Sequence, residues 1–151
     1  MSSAFVSEST GRAVLIHMTV GDRLLETIRE EAKRLNIQSA IVTGGIGSLR
    51  KAVYHYIEAV TEEPRDAYKT VERPMELVSL QGIVLEGEPH LHMAATEEGG
   101  GVCHSGHVEE GCEIQYLAEI SLIELKNLPL GRRAEKYGTV THFELLNGGN
   151  M

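Results

Sequence analysis

Two histidines separated by one residue, in Pro89-His90-Leu91-His92-Met93-Ala94, are the side chains of this sequence best placed to do chemistry. In an extended strand successive side chains alternate, so His90 and His92 share one face while Leu91 and Met93 take the other. Strand rise sets their Cα atoms about 7 Å apart, within reach of one ion, but two imidazoles alone make a weak site. A third ligand has to come from a neighbouring strand, and His104 and His107 are the candidates. The glycine-rich stretch Glu97–Gly101 predicts a turn that folds His90–Thr96 and Val102–Val108 into an antiparallel hairpin. On the second strand Val102, Gly106 and Val108 form a core-facing row, and His104 shares their parity. Cys103, Ser105 and His107 then lie with His90 and His92. A register that pairs His92 with His107 meets both constraints, whereas a slip of one residue would put His104 on that face instead.

The expected metal ligands are therefore His90, His92 and His107. Three neutral imidazoles in a tetrahedral arrangement point to zinc first, with iron or nickel as further candidates. Three ligands leave a position for water or a small ligand, which suits substrate or effector chemistry, unless Cys103 closes the site and makes it structural. Glu76, between Met75 and Leu77 in an apolar run, is either a carboxylate near this metal or a strand residue facing solvent or a subunit neighbour. His17, His55 and His142 stand alone and read as structural. Thr43-Gly44-Gly45-Ile46-Gly47-Ser48 has the glycines of a phosphate loop but leads into a strand. Without a following helix N-terminus it reads as a tight turn where chains approach closely. Cys103 and Cys112 are too few for a disulfide framework and read as buried thiols.

The elements that must position these groups are mostly strands. From Asp22 to Leu35 the apolar residues Leu24, Leu25, Ile28, Ala32 and Leu35 fall on one helical stripe, with Asp22 or Thr19 as a capping residue and Asn36 as the stop. Strands are expected over Ala13–Thr19, Ser39–Thr43, Lys51–Ala59, Met75–Leu85, His90–Thr96, Val102–Val108, Glu113–Leu125 and Thr139–Leu145. One helix among many strands, without a regular βαβ alternation, gives an α+β fold: a mostly antiparallel sheet packed on one main helix. The 151 residues suit a single compact domain, from about residue 5 to 146, with 147–151 as a disordered tail.

Net charge is −8 with histidines neutral, and a surface so acidic repels polyanions. The one basic cluster, Gly131-Arg132-Arg133-Ala134-Glu135-Lys136, contains its own acid and reads as a solvated turn. No apolar run is long enough to cross a bilayer, and the first residues lack the pattern of a secretory signal. A cytoplasmic protein without membrane contact is the expectation.

Several stretches together resemble the PPC (plants and prokaryotes conserved) domain, which in plants accompanies AT-hook DNA-binding motifs. They are Gly21-Asp22-Arg23-Leu24-Leu25-Glu26, Ala40-Ile41-Val42-Thr43-Gly44-Gly45-Ile46-Gly47-Ser48-Leu49 and Pro74-Met75-Glu76-Leu77-Val78-Ser79-Leu80-Gln81-Gly82. Pro89-His90-Leu91-His92, Ser105-Gly106-His107-Val108 and Gly111-Cys112-Glu113 complete the set, in order, over about residues 10 to 126. The resemblance implies assembly as a homotrimer and metal-ligating histidines at His90, His92 and His107, with Ser105 where the family usually has glycine. It also implies a fold similar to that of acetolactate decarboxylase, a zinc enzyme with three histidine ligands, so a metal-dependent lyase or hydrolase is the alternative to a ligand-binding regulatory protein. DNA is the partner that the family label suggests. No AT-hook sequence (Arg-Gly-Arg-Pro) occurs here.

Overall fold

Alternating apolar runs become strands and the one amphipathic run becomes the helix in a computed structural model that describes residues 2–135 and 140–146. In chain order the elements are β1 (Ser9–Thr19), α1 (Leu24–Arg34), β2 (Ser39–Ile57), β3 (Asp66–Val71), β4 (Met75–Leu85), β5 (Glu88–Glu97), β6 (Cys103–Val108), β7 (Glu113–Lys126), β8 (Leu130–Ala134) and β9 (Thr141–Leu145). Seven strands form one antiparallel sheet in the order β1-β7-β2-β4-β5-β6, with β3 on the far half of β2. The α+β expectation holds. Readings that touch Lys136, Thr139 or the tail 147–151 lie outside the described residues.

The length of β2 shapes the molecule. Its first half pairs with β4 and β7, and its second half turns across to meet β6 at Tyr54↔Val108 and His55↔His107. Strands β2, β4, β5 and β6 thereby close into a ring. At the closing seam Gly106 has φ +155°, and a Cβ there would run into the His55 carbonyl, so glycine lets the two backbones meet.

Thr43–Ser48 is the clearest correction. The expected turn is continuous strand, and β2 runs through it with register shifts against β7. The close approach is real: a Cβ on Gly45 would stand 2.7 Å from Ile120 Cδ1 and 2.8 Å from Leu80 Cβ. These glycines let side chains from both neighbouring strands fill the space above the backbone, which a sequence pattern does not distinguish from a turn.

The core lies between the sheet and α1. Leu24, Leu25, Ile28 and Ala32 of the helix pack with Met18, Val42, Leu80, Leu91, Ile114 and Ile120 of the strands. Burying a leucine or isoleucine in this way contributes about 1.5–3 kcal/mol per side chain. Neither expected residue caps the helix. The Asp22 carboxylate accepts from the Thr19 amide at 2.7 Å and so holds the preceding turn, while Arg23 occupies the cap position without a side-chain bond. Glu26 in the first turn and Lys33 and Arg34 in the last oppose the helix dipole favourably. Asn36, at φ +53°, ends the helix as expected.

Two strands were not anticipated. β3 lies along the second half of β2. β8 and β9 form a separate two-stranded sheet, and β8 occupies the stretch expected as a solvated basic turn: Leu130 and Gly131 are buried and Arg132 is half-buried. Glu86 anchors β8 by accepting from the Arg132 amide at 3.3 Å and from Arg133 Nη1 at 3.0 Å.

Candidate metal centre

The hairpin of β5 and β6 turns at Glu98–Gly100 and pairs His92 with His107, Ala95 with His104 and Thr96 with Cys103. Leu91, Met93 and Ala95 are buried in the core, and this fixes the parity that turns His90 and His92 to the outer face. Both the register and the separation of His107 from His104 are as the sequence predicts. Val102 is not: it is exposed in the turn rather than part of the core row.

One ring nitrogen from each of His90, His92 and His107 lies within 4.8 Å of the others. The His90 and His92 rings are nearly parallel, 7° apart with centroids separated by 5.7 Å, and His107 stands edge-on to both. Zinc–nitrogen bonds of about 2.0–2.1 Å put tetrahedral ligand nitrogens about 3.3 Å apart, so small ring rotations would bring this set onto a common ion. The donor chemistry fits as well. Burial, then the nearby Arg132 charge, then the neighbouring histidines push His90 down to about 4. His107 is lowered too, first by burial and next by His55. Both rings are neutral at physiological pH, with lone pairs free for a cation.

A recess of about 410 Å³ opens beside the rings, lined by Gln81, Gly82, Ile83, His90, His92, Arg132 and Phe143. Arg132 and Phe143 come from the β8–β9 hairpin, which faces the histidines across this space. The Arg132 guanidinium carbon sits 5.0 Å from the centre of the Phe143 ring.

His55 is the residue that sequence reasoning missed. Across the β2–β6 seam its ring stacks on His107 with centroids 4.4 Å apart, and its Nδ1 is 2.5 Å from the Glu109 carboxylate. His55, His107 and Glu109 make the second group of possible metal donors among the described residues. Parity within β2 puts His55 on the outer face, but nothing local tells that this strand crosses to β6.

The other sequence candidates lie apart. Glu76 is exposed, opposite Ser48 and Thr96, about 13 Å by strand rise from the position of His92. Cys103 is exposed and a similar distance along β6 from His107, and belongs to neither donor group. Cys112 is buried as expected, donating to the Val53 carbonyl, and burial pushes its thiol up to about 11. His104 faces the interior between the Tyr54 hydroxyl at 3.0 Å and the Glu97 carboxylate at 2.9 Å. His142 pairs with Glu135 at 3.1 Å, and His17 lines a separate depression of about 530 Å³ on the outer face of β1, β2 and β7.

The model of the Plants and Prokaryotes Conserved (PCC) domain matches residues 5–126. A plant- and prokaryote-conserved protein from Pyrococcus horikoshii is 32% identical, with a TM-score of 0.77 over 97% of this chain and 99% of its own. A metal-containing protein from Archaeoglobus fulgidus has a TM-score of 0.81 at 22% identity, over 95% of this chain and 99% of its own. A candidate DNA-binding protein from Bacteroides thetaiotaomicron has a TM-score of 0.75 at 15% identity, over 93% and 97%. No curated protein matches the chain.

Proposed function

The chain belongs to the Plants and Prokaryotes Conserved domain family, and from that premise we propose that it is a metal-binding protein in which His90, His92 and His107 hold zinc and leave one coordination position for a small ligand. The observation that carries this reading is the convergence of three ring nitrogens that have no hydrogen-bonding side chain among the described residues. His90 and His107 are partly buried and His92 is exposed, so a cation can reach all three nitrogens and engage them at once. Iron and nickel accept the same donors. The metal content of the Archaeoglobus fulgidus protein, which shares the fold, agrees with this reading.

The protein works as a cytoplasmic homotrimer that binds or senses its ligand. Leu15, Ile41, Ile46, Leu117 and Ile123 leave apolar surface exposed on β1, β2 and β7, as a subunit interface would need, and among the described residues no helix is long and apolar enough to cross a membrane. The domain would run through the β8–β9 hairpin to residue 146.

A second reading, a metal-dependent lyase or hydrolase, is favoured by the His55–Glu109 pair stacked against His107. When bound, zinc would polarise a carbonyl or activate water; His55, oriented by Glu109, could then accept or return a proton. DNA binding, the role attached to the Bacteroides thetaiotaomicron protein, ranks third because the net charge of −8 opposes phosphate contact.

Elemental analysis of untagged protein tests the metal directly. One zinc per chain in the wild type, lost in His92→Ala, is the expected result. A wild type without zinc, iron or nickel that behaves like His92→Ala overturns the proposal.

A further inference from the structure

We infer that the ligand of the three-histidine site is a small organic carboxylate with an apolar body, and that Arg132 is the residue that recognises it. The inference takes its site from the metal-binding reading above and names the class of molecule that completes it.

Arg132 is an anomaly in an acidic chain. With 22 Asp and Glu against 14 Lys and Arg, carboxylates are plentiful, and the adjacent Arg133 is paired with both Glu86 and Glu144. Among the described residues the Arg132 guanidinium has no carboxylate partner, and its Nε is shut off from solvent with no hydrogen-bond acceptor. An arginine held half-buried in this way loses hydration without compensation. Its place is fixed nonetheless: the backbone is tied to Glu86, and the Phe143 ring lies against the guanidinium.

The recess that Arg132 shares with His90 and His92 is therefore a positive site. Three neutral imidazoles around a divalent cation carry no compensating charge, and the arginine opposite adds another positive group. The complement is an anion. A guanidinium fork matches the two oxygens of a planar carboxylate. Ile83 and Phe143 offer apolar contact for the body of such a molecule, and Gln81 offers an amide for a further polar atom.

Isobutyrate and its uncharged analogue isobutyramide are suitable probes, titrated into zinc-loaded protein and followed by NMR. Wild type should bind isobutyrate at least about tenfold more tightly than isobutyramide, the usual size of a charge-assisted contact. In Arg132→Gln that preference should shrink at least about fivefold, the remainder being the anion's attraction to zinc, and Arg132→Lys should retain more of it. Equal affinities in the wild type, or an undiminished preference in Arg132→Gln, overturn the inference. Zinc content, measured separately, should be the same in wild type and Arg132→Gln. If the wild type takes up no metal, the metal reading fails by itself. The same titration on metal-free protein then decides the carboxylate claim: a preference lost in Arg132→Gln supports it, and no preference overturns it.

Discussion

The two faces of the β5–β6 hairpin carry histidines in opposite circumstances. On the inner face His104 has a partner at each ring nitrogen, the Tyr54 hydroxyl and the Glu97 carboxylate, and its role ends with those bonds. On the outer face His90, His92 and His107 crowd one another, and none has a hydrogen-bonding side chain among the described residues. Both faces are shaped by the same hairpin and the same alternation. What separates a structural histidine from a candidate ligand here is whether the fold already satisfies it. Arg132 extends the lesson across the recess, since among the described residues its guanidinium has no carboxylate partner where its neighbour Arg133 has two.

The contrast breaks most visibly at the metal. His107→Ala should weaken zinc binding by more than about 100-fold in a chelator competition, while His104→Ala should leave it within about twofold. His104→Ala should act on stability instead, losing about 1–3 kcal/mol in urea denaturation because the Tyr54 hydroxyl and Glu97 are left unpaired. Equal loss of zinc in both variants would erase the distinction between the faces.

Acid separates unpartnered from partnered groups in a finer way. A histidine in the unfolded chain titrates near 6.5, but His90 in the folded protein lies at about 4, so the native state binds fewer protons between those values. Stability of the metal-free protein should be fully present above pH 6.5 and fall by about 2 kcal/mol as pH drops toward 4, with allowance for solvent screening. His90→Gln should flatten that slope in denaturant midpoints measured across the range. An unchanged slope would mean that His90 is not held neutral.

Glu124 is depressed as well, but for the opposite reason: bonds from Arg12 and then Lys126 hold its carboxylate down to about 2. Its stabilisation should be complete above pH 4.5 and be lost only as pH falls from 4.5 toward 2. Because Arg12 and Lys126 are about half exposed, the effect should be about 1 kcal/mol. Glu124→Gln should therefore change the denaturation midpoint less than His90→Gln, and in a lower window. A slope change above pH 5 would contradict the assignment.

How much of this was legible in the sequence depended on the range of the interactions. The β5–β6 hairpin is local: a glycine-rich turn, two apolar rows and a period of two determine its register, and the pairing of His92 with His107 follows. The helix is legible for the same reason, through its stripe. What failed needed contacts distant in sequence. His55 reaches His107 only because β2 bends back to β6 through a two-pair seam. Gly45 sits in a strand because Leu80 and Ile120 fill the space over it. Arg132 looked like a solvated turn residue because its charge and that of Arg133 masked the buried Leu130 that seats β8.

Among the described residues the β8–β9 hairpin forms a two-stranded sheet of its own, and it lies beyond residue 126, where the family model stops matching. The wall of the recess that bears Arg132 and Phe143 is therefore built separately from the platform that bears the imidazoles. Substitutions in this short C-terminal ribbon can therefore reshape that wall while the strands beneath keep their pairing.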